Sequence, residues 1–177
     1  CVLGLGYIGL PTAAILADSG YDVVGVDINK EVIDNLNKGK VIIEEPYIDE
    51  IVKDVVNKKK LIGKNEPCKA DVFIICVPTP IREDKKANMA YVIDAINSIL
   101  PYIRENNIVI LESTSPVGTT KAIIKPILEK TNLKVGQEIY LGYCPERVIP
   151  GKIIEELSNN NRIIGGINEV SALKIKE

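Results

Sequence analysis

The sequence predicts an α/β fold, a doubly wound parallel sheet with helices on both faces. Strand-sized apolar runs alternate with helical patterns along the 177 residues, which is typical of linked βαβ units. A glycine-rich turn separates the first apolar run from the first helical pattern. Because no repeat or low-complexity segment interrupts this alternation, we expect a single domain over residues 1–177.

The predicted strands are short apolar runs rich in branched residues, bounded by turn formers or charged residues. The first two flank the glycine-rich turn and its helix, and the third is the weakest of the set. In chain order the strands are Val2–Gly4, Asp22–Asp27, Leu61–Gly63, Val72–Val77, Asn107–Glu112, Ile139–Tyr143 and Arg162–Gly166.

Helical patterns fill the segments between these runs. Pro11 fits a first helical turn, where its missing N–H costs nothing, and Gly20 fits the position just after that helix. Two sets of apolar residues have the spacing of a buried helix face: Val32, Ile33 and Leu36, and Ile48, Ile51 and Val55. The predicted helices are Pro11–Ser19, Lys30–Asn37, Tyr47–Lys58, Met89–Glu105, Thr119–Lys130, and a last one over Glu169–Leu173 capped by Asn168.

Composition excludes several classes of protein. A net charge of −2 with mixed charges leaves no basic patch for nucleic acid, so we expect no nucleic-acid partner. Apolar runs no longer than a strand predict neither a signal peptide nor a membrane-spanning helix. Four cysteines without C-x-x-C spacing, and no histidine, predict no metal site and a reducing, cytoplasmic location. Without histidine, acid–base chemistry must come from carboxylates, lysines, tyrosines or hydroxyls.

The glycine-rich turn predicts a dinucleotide-binding site of the Rossmann type. It reads GLGYIG, in which Gly4 permits a tight turn, Gly6 lets the backbone approach a pyrophosphate, and Gly9 lets the helix pack close to the strand. The helix that follows directs its N–H groups and the positive end of its dipole at the phosphates.

Asp27 predicts that the dinucleotide is NAD. This carboxylate ends the second apolar run, eighteen positions after Gly9, where it can accept hydrogen bonds from the hydroxyls of the adenosine ribose. A 2′-phosphate in that place would meet a negative charge, so NADP is disfavoured.

Three loops that follow predicted strands are rich in polar and proline residues. They are Val77–Pro80, Glu112–Gly118 and Tyr143–Gly151. Since ligands of doubly wound sheets lie beyond the carboxyl ends of the strands, we expect these loops to carry the remaining functional residues.

Five motifs together resemble those of the UDP-glucose/GDP-mannose dehydrogenase family. They are GLGYIGLPTAA (Gly4–Ala14), GVDIN (Gly25–Asn29), VPTP (Val77–Pro80), ESTSPVGTT (Glu112–Thr120) and YCPERVIPG (Tyr143–Gly151). They cover nearly the whole chain in the family's order, and the last two are the most specific. The pair Glu45-Pro46 also matches the family, without an assigned role.

The resemblance implies an NAD-dependent oxidation of a UDP-sugar in polysaccharide biosynthesis. A primary alcohol at C6 becomes a carboxylate through an aldehyde and a cysteine-bound thioester, with two NAD⁺ reduced in turn. Relatives that act on UDP-glucose carry a second glutamate where this chain has Pro150, so the resemblance favours UDP-N-acetyl-D-mannosamine over UDP-glucose or UDP-GlcNAc. The intact enzyme is implied to be a homo-oligomer without a membrane partner.

The resemblance also implies cofactor contacts. Tyr7 and Ile8 would present backbone N–H groups to the pyrophosphate, and Thr79 would border the pyrophosphate and ribose. Thr114 would lie beside the nicotinamide and order a catalytic water. From the residues alone, the hydroxyl of Thr114 is more typical of a loop or of the cap of the helix that starts near Thr119.

The loop after the sixth strand is implied to serve hydrolysis and sugar binding. Glu146 would help activate the water that releases the acid, and Arg147 and Val148 would contact the sugar part of the substrate. An exposed ion pair between Glu146 and Arg147 is the plainer alternative. A non-catalytic NAD-binding regulatory module is the alternative of another functional class.

Cys144 is interpreted as a packing residue. A lone cysteine on this loop suggests a nucleophile, but the resemblance places the family's nucleophile in a G-G-x-C motif that residues 1–177 lack. The short run before Gly4 and the missing initiator methionine indicate truncation at the start of the chain, and the stop at Glu177, inside the last predicted helix, indicates truncation at its end. We expect a central helix and a C-terminal substrate domain outside these residues. We therefore expect residues 1–177 to bind NAD without turnover.

Overall fold

The computed structural model describes all residues, 1–177. Its strands are β1 (Val2–Leu3), β2 (Val23–Val26), β3 (Leu61–Lys64), β4 (Val72–Ile75), β5 (Ile108–Leu111), β6 (Tyr140–Tyr143) and β7 (Gly165–Gly166). Its α-helices are α1 (Gly9–Asp18), α2 (Lys30–Leu36), α3 (Ile48–Asn57), α4 (Ala90–Ile99), α5 (Lys125–Leu128), α6 (Ile153–Asn159) and α7 (Glu169–Lys176). None of these helices combines the length and the apolar character that crossing a membrane requires.

The elements belong to two compact units. Unit 1 consists of Cys1–Pro67 and Arg147–Asn161, and contains β1 to β3, α1 to α3 and α6. Unit 2 consists of Cys68–Glu146 and Arg162–Glu177, and contains β4 to β7, α4, α5 and α7.

Unit 1 has a parallel sheet in the order β3-β2-β1. Helix α1 packs against α3 and α6, and its small residues Ala13, Ala14 and Ala17 are buried, which allows close contact between the backbones. Gly20 follows the C-cap residue of this helix, and its φ of +99° lets its N–H turn back to the carbonyl of Ala17 at 3.0 Å. The predicted stop is therefore confirmed.

The two following helices bury the apolar faces that their spacing predicts, with one difference. In α2 the whole predicted set is buried. In α3, Ile48 and Val55 are buried as predicted. The third buried residue is Val52, whereas Ile51, which was predicted to be buried, is half-buried. Both residues have helical spacing to their neighbours, so only the direction in which α3 packs decides between them.

Unit 2 has a sheet in the order β4-β5-β6-β7, in which the first three strands are parallel and β7 is antiparallel to β6. The register pairs Gly142 with Gly166 and Tyr143 with Gly165. The predicted α/β class is confirmed, with a mostly parallel arrangement. Because β7 runs in the opposite direction, the residues that precede it lie at the edge where β4, β5 and β6 end.

Helix α7 packs closely on β6 and β7. A Cβ atom added to Gly166 would lie 2.5 Å from the carbonyl oxygen of Asn168 and 2.8 Å from the Cα of Ala172, so only glycine fits there. The Asn168 side chain accepts a hydrogen bond from the N–H of Ser171 at 2.9 Å, which confirms the predicted cap.

Three helical segments differ from the prediction. Helix α4 stops at Ile99 and continues only as a 3₁₀ turn, Leu100–Tyr102, because Pro101 supplies no N–H for a longer helix. The segment predicted as one helix over Thr119–Lys130 is a π-helical turn, Thr120–Ile124, followed by α5 and a 3₁₀ turn. Helix α6 was not predicted.

Candidate functional site

The glycine-rich turn of unit 1 has the conformation that its sequence predicts. Gly4 has a φ of +89°, and its N–H donates to the carbonyl of Val26 at 2.8 Å, which ties the turn to β2. No atom lies within 4 Å of the place where a Cβ of Gly6 would be. Gly9 is buried at the start of α1. The turn therefore leaves open space above the Gly6 backbone for a ligand.

The start of α1 lacks the usual partners of a helix N-terminus. Ile8 occupies the N-cap position without a side-chain hydrogen bond, and no acidic residue lies in the first turn. Its N–H groups and the positive end of the helix dipole are thus suited to a phosphate anion. Tyr7 is partly exposed, and its hydroxyl donates to the carbonyl of Glu44 at 3.0 Å, which anchors the turn to the loop before α3.

Asp27 holds its carboxylate against the glycine-rich turn. One oxygen, Oδ2, accepts from the N–H of Leu5 at 2.9 Å, and Oδ1 accepts from the N–H of Asn29 at 2.8 Å. Each carboxylate oxygen retains a second lone pair for a hydroxyl donor. The open turn, the uncapped helix start and this carboxylate fit the pyrophosphate and ribose of a dinucleotide.

Thr79 and Thr114 lie together in unit 2. The Thr79 hydroxyl donates to the carbonyl of Thr114 at 2.7 Å, which joins the loops that follow β4 and β5. Between them, the Ser113 hydroxyl donates to the carbonyl of Val77 at 2.7 Å. These bonds fix the loop backbone and leave the Thr114 side chain exposed.

Glu146 belongs to a charged cluster at the same strand ends of unit 2. The Arg162 guanidinium contacts the Glu146 carboxylate, with 2.8 Å between Nη1 and Oε2, and its Nη2 also donates to Oε1 of Glu112. The side chains of Glu112 and Glu146 are only 5% and 9% exposed. Glu146 is therefore held in a nearly buried ion pair with Arg162, a partner that sequence reasoning missed.

Two cysteines complete this cluster, Cys76, which is half-buried, and Cys144, which is buried. The Cys76 thiol donates to Oε2 of Glu112 at 3.1 Å, and burial together with that carboxylate raises the pKa of Cys76 well above its usual value. Burial also raises the pKa of Cys144, although Arg162 opposes the shift. A raised pKa disfavours the thiolate that a nucleophile needs, which agrees with the interpretation of Cys144 as a packing residue.

The cluster also shifts the pKa of Glu112 and of Arg162, the two groups that hold Glu146 in place. Burial raises the pKa of Glu112, while the guanidinium of Arg162 lowers it. For Arg162, burial lowers the pKa, but the nearby Glu112 and Cys144 raise it, and the net direction is upward. Arg162 therefore remains a cation at any ordinary pH.

The segment of Arg147 and Val148 belongs to unit 1, where a buried carboxylate anchors the residues that follow it. Glu45 accepts from the N–H of Gly151 at 2.8 Å and of Ile153 at 2.6 Å. Arg147 is exposed and Val148 half-buried. The Glu45 carboxylate, to which sequence reasoning assigned no role, thus caps the start of α6.

The residues that sequence reasoning missed are Glu112, Arg162 and Cys76. Glu112 directly follows the apolar residues of β5, and a charged side chain at the end of a buried strand requires a partner. That requirement indicates from the sequence that Glu112 has a partner. It does not identify the partner as Arg162, which is fifty positions away along the chain.

Comparison with known proteins gives a consistent result. A family model described as "UDP-glucose/GDP-mannose dehydrogenase family, NAD binding domain" matches residues 1–177. The UDP-N-acetyl-D-mannosamine dehydrogenase of Methanococcus maripaludis is 49% identical over 181 residues, which cover 100% of this chain and 40% of that protein. A protein of the same name from Escherichia coli K12 is 42% identical over 183 residues, with coverage of 99% and 44%.

Solved structures agree with these relatives. The UDP-N-acetyl-mannosamine dehydrogenase of Staphylococcus aureus matches with a TM-score of 0.95 and 46% identity, over 97% of this chain and 42% of that one. This similarity confirms the predicted Rossmann-type fold. The chain spans about 40% of the length of the Methanococcus maripaludis relative and about 44% of the length of the Escherichia coli relative.

Proposed function

Because the chain belongs to the UDP-glucose/GDP-mannose dehydrogenase family and matches its NAD-binding domain, we propose that it forms the cofactor-binding part of a nucleotide-sugar 6-dehydrogenase. The proposed reaction oxidises UDP-N-acetyl-D-mannosamine to UDP-N-acetyl-D-mannosaminuronate and reduces two NAD⁺. Relatives named for this sugar are 42% and 49% identical to the chain, and Pro150 replaces the second glutamate of UDP-glucose relatives. UDP-glucose and UDP-GlcNAc are the competing substrates.

The observation that carries the cofactor assignment is the position of Asp27. Its carboxylate is bonded to the N–H of Leu5, inside the glycine-rich turn, and so lies where an adenosine ribose would follow a pyrophosphate bound at Gly6 and Ile8. When bound, NAD⁺ supplies the hydride acceptor for both oxidation steps. Gly4, Gly9 and Tyr7 complete the proposed cofactor-binding set of unit 1, and Thr79 and Thr114 that of unit 2.

Glu146 and Thr114 are proposed to serve the final hydrolysis. The proposed nucleophile is a cysteine outside residues 1–177, whose sulfur forms a thioester with C6 of the sugar. Glu146 would accept a proton from a water molecule while the oxygen of that water attacks the thioester carbon. The C–S bond would then break, which releases the thiol and the carboxylic acid. Thr114 would order that water, and Arg147 and Val148 would contact the sugar.

The cellular setting is proposed as well. We place the enzyme in the cytoplasm, as a homo-oligomer that supplies a uronic acid donor for polysaccharide biosynthesis. The four cysteines, which show no C-x-x-C spacing, support a reducing compartment.

The test is oxidation of UDP-sugars by the full-length protein that carries this chain. We expect two NADH per uronate formed from UDP-N-acetyl-D-mannosamine, and slower turnover with UDP-glucose and UDP-GlcNAc, as followed by NADH absorbance. NAD binding without oxidation of any UDP-sugar would instead support a regulatory module.

A Glu146→Gln substitution tests the hydrolytic role. We expect the variant to form at least one NADH per site and then to stall, with steady-state turnover reduced by about 10²-fold or more because the general base is lost. Mass spectrometry of the quenched protein should reveal a cysteine-linked sugar thioester. Glu105→Gln, on an exposed residue of the same unit, is the control. Normal turnover without the adduct would mean that Glu146 is structural.

A further inference from the structure

We propose that Arg162 is a positioning residue that orients the Glu146 carboxylate for water activation. The inference rests on the proposed function, which assigns the hydrolytic role to Glu146. It adds a residue outside all the motifs that indicated the family.

The Arg162 guanidinium bridges two carboxylates. Arg162 contacts Glu146 through Nη1 at 2.8 Å and Glu112 through Nη2. A guanidinium is planar and presents its donors at fixed angles, so the position of one bonded carboxylate restricts the position of the other. A lysine ammonium is a single point of charge and does not impose this geometry.

Glu112 is held rigidly at the end of β5. Its side chain is nearly buried, and its second oxygen, Oε2, accepts from the Cys76 thiol at 3.1 Å. Its backbone N–H donates to the carbonyl of Ile75 at 2.9 Å, which ties it to β4. Glu112 is therefore a fixed point at the ends of two strands, and Arg162 transmits that fixed position to Glu146.

The direction of β7 brings Arg162 to Glu146. Arg162 precedes this strand by three residues, and the antiparallel pairing of Gly165 with Tyr143 places it at the edge where β6 ends. Glu146 follows the end of β6 by three residues. A parallel β7 would carry Arg162 to the opposite edge of the sheet. The reversal of this strand is what gives Glu146 its cationic partner.

The charge distribution agrees with a positioning role. Two carboxylates share one guanidinium, so removal of Arg162 would leave like charges close together in a nearly buried setting. With Arg162 present, Glu146 faces a cation on one oxygen. The guanidinium therefore holds the Glu146 carboxylate in one position, as a group that takes a proton from water requires.

The experiment uses the full-length enzyme with Arg162→Lys and Arg162→Met substitutions. We expect the first NADH to form within about threefold of the wild-type rate, because hydride transfer does not require Glu146. Steady-state turnover should fall roughly tenfold in Arg162→Lys and further in Arg162→Met, since a misplaced catalytic group costs up to about a hundredfold. The cysteine-linked thioester should accumulate in both variants.

A matched control is Arg104→Met. Arg104 lies in the same unit and pairs with Asp71 at 2.8 Å, but both side chains are more than half exposed. We expect normal turnover from this variant. If Arg162→Met does not fold, Arg162→Lys decides the question, because it retains the positive charge.

Two results would overturn the inference. One is unchanged steady-state turnover in the Arg162 variants. The other is an equal loss of the first NADH and of steady-state turnover without the thioester, which would indicate a structural role only. If the wild-type enzyme oxidises no UDP-sugar, the proposed function fails and the inference fails with it, a result distinct from normal turnover in the variants.

Discussion

At the scale of single residues, Asp27 has a structural role and a proposed role in recognition. Its carboxylate accepts from two backbone N–H groups, of Leu5 and Asn29, and so fixes the glycine-rich turn. The same oxygens are proposed to receive the ribose hydroxyls. A substitution of Asp27 therefore changes the turn as well as the proposed cofactor contact. The ratio of the affinities for NADH and NADPH measures the proposed contact better than either affinity alone.

Asp27→Ala is expected to reduce the preference for NADH over NADPH. Hydrogen bonds to a charged group contribute about 1.5–3 kcal/mol, so NADH should bind roughly ten- to a hundredfold more weakly. NADPH should lose less, because the repulsion of its 2′-phosphate is removed. Titration calorimetry measures both affinities, with Asp34→Ala, on an exposed residue of α2, as the control. Equal affinity of the unmodified protein for the two cofactors would contradict the assignment.

At the scale of elements, long-range contacts decide what local sequence does not. Helix α6 has seven residues, and its N-terminus is capped by the carboxylate of Glu45, which is 108 positions from Ile153. The segment itself is short, and it carries a weak local signal, the acidic residues Glu155 and Glu156 in its first turn. The buried face of α2 was predictable because its spacing is local, whereas the choice of Val52 over Ile51 in α3 was not.

Glu45→Ala is expected to destabilise unit 1. Two backbone N–H groups would lose their acceptor, which lowers the free energy of unfolding by about 2–4 kcal/mol. Chemical denaturation of the 177-residue chain measures the change. Glu44→Ala is the matched control, because only the main-chain carbonyl of Glu44 accepts from Tyr7 and the substitution preserves it. An equal, small effect of both substitutions would show that the cap is dispensable.

Gly166→Ala is expected to destabilise unit 2. The added methyl group would overlap the backbone of α7 at Asn168 and Ala172, and such overpacking lowers the free energy of unfolding by about 1–3 kcal/mol. Gly165→Ala is the control, since the nearest atom to its Cβ, the carbonyl oxygen of Tyr143, lies 3.8 Å away. We expect a change within about 0.5 kcal/mol there. Urea titration measures the unfolding midpoint of both variants, and equal midpoints would contradict the prediction.

At the scale of the whole molecule, sequence predicted the fold class, the cofactor turn and most strands, because these depend on periodicity and on glycines and carboxylates at fixed spacing. The direction of β7 was not predictable, since Gly165–Gly166 is too short to carry a pattern. The same limit concealed Arg162, whose role depends on that direction. The charged cluster is therefore evident only from the folded arrangement of the strands of unit 2.

The 177-residue chain itself is expected to bind NADH but not to turn over. Its glycine-rich turn, α1 and Asp27 are all within unit 1, whereas the proposed nucleophile motif G-G-x-C is not in this sequence. Incubation with UDP-N-acetyl-D-mannosamine and NAD⁺, followed by NADH absorbance, measures turnover. Sustained turnover that disappears in Cys144→Ser would show that Cys144 is the nucleophile after all.

The capping of α6 by Glu45 also has a consequence for biosynthesis. During translation, Cys1–Pro67 leave the ribosome well before Arg147–Asn161, which complete the same unit. Until then, the Glu45 carboxylate and the side of α1 that packs against α6 have no partner. Closing this contact requires a chain separation of more than a hundred residues, which slows folding. The nascent N-terminal segment therefore passes through a stage in which chaperones can bind its uncovered apolar surface.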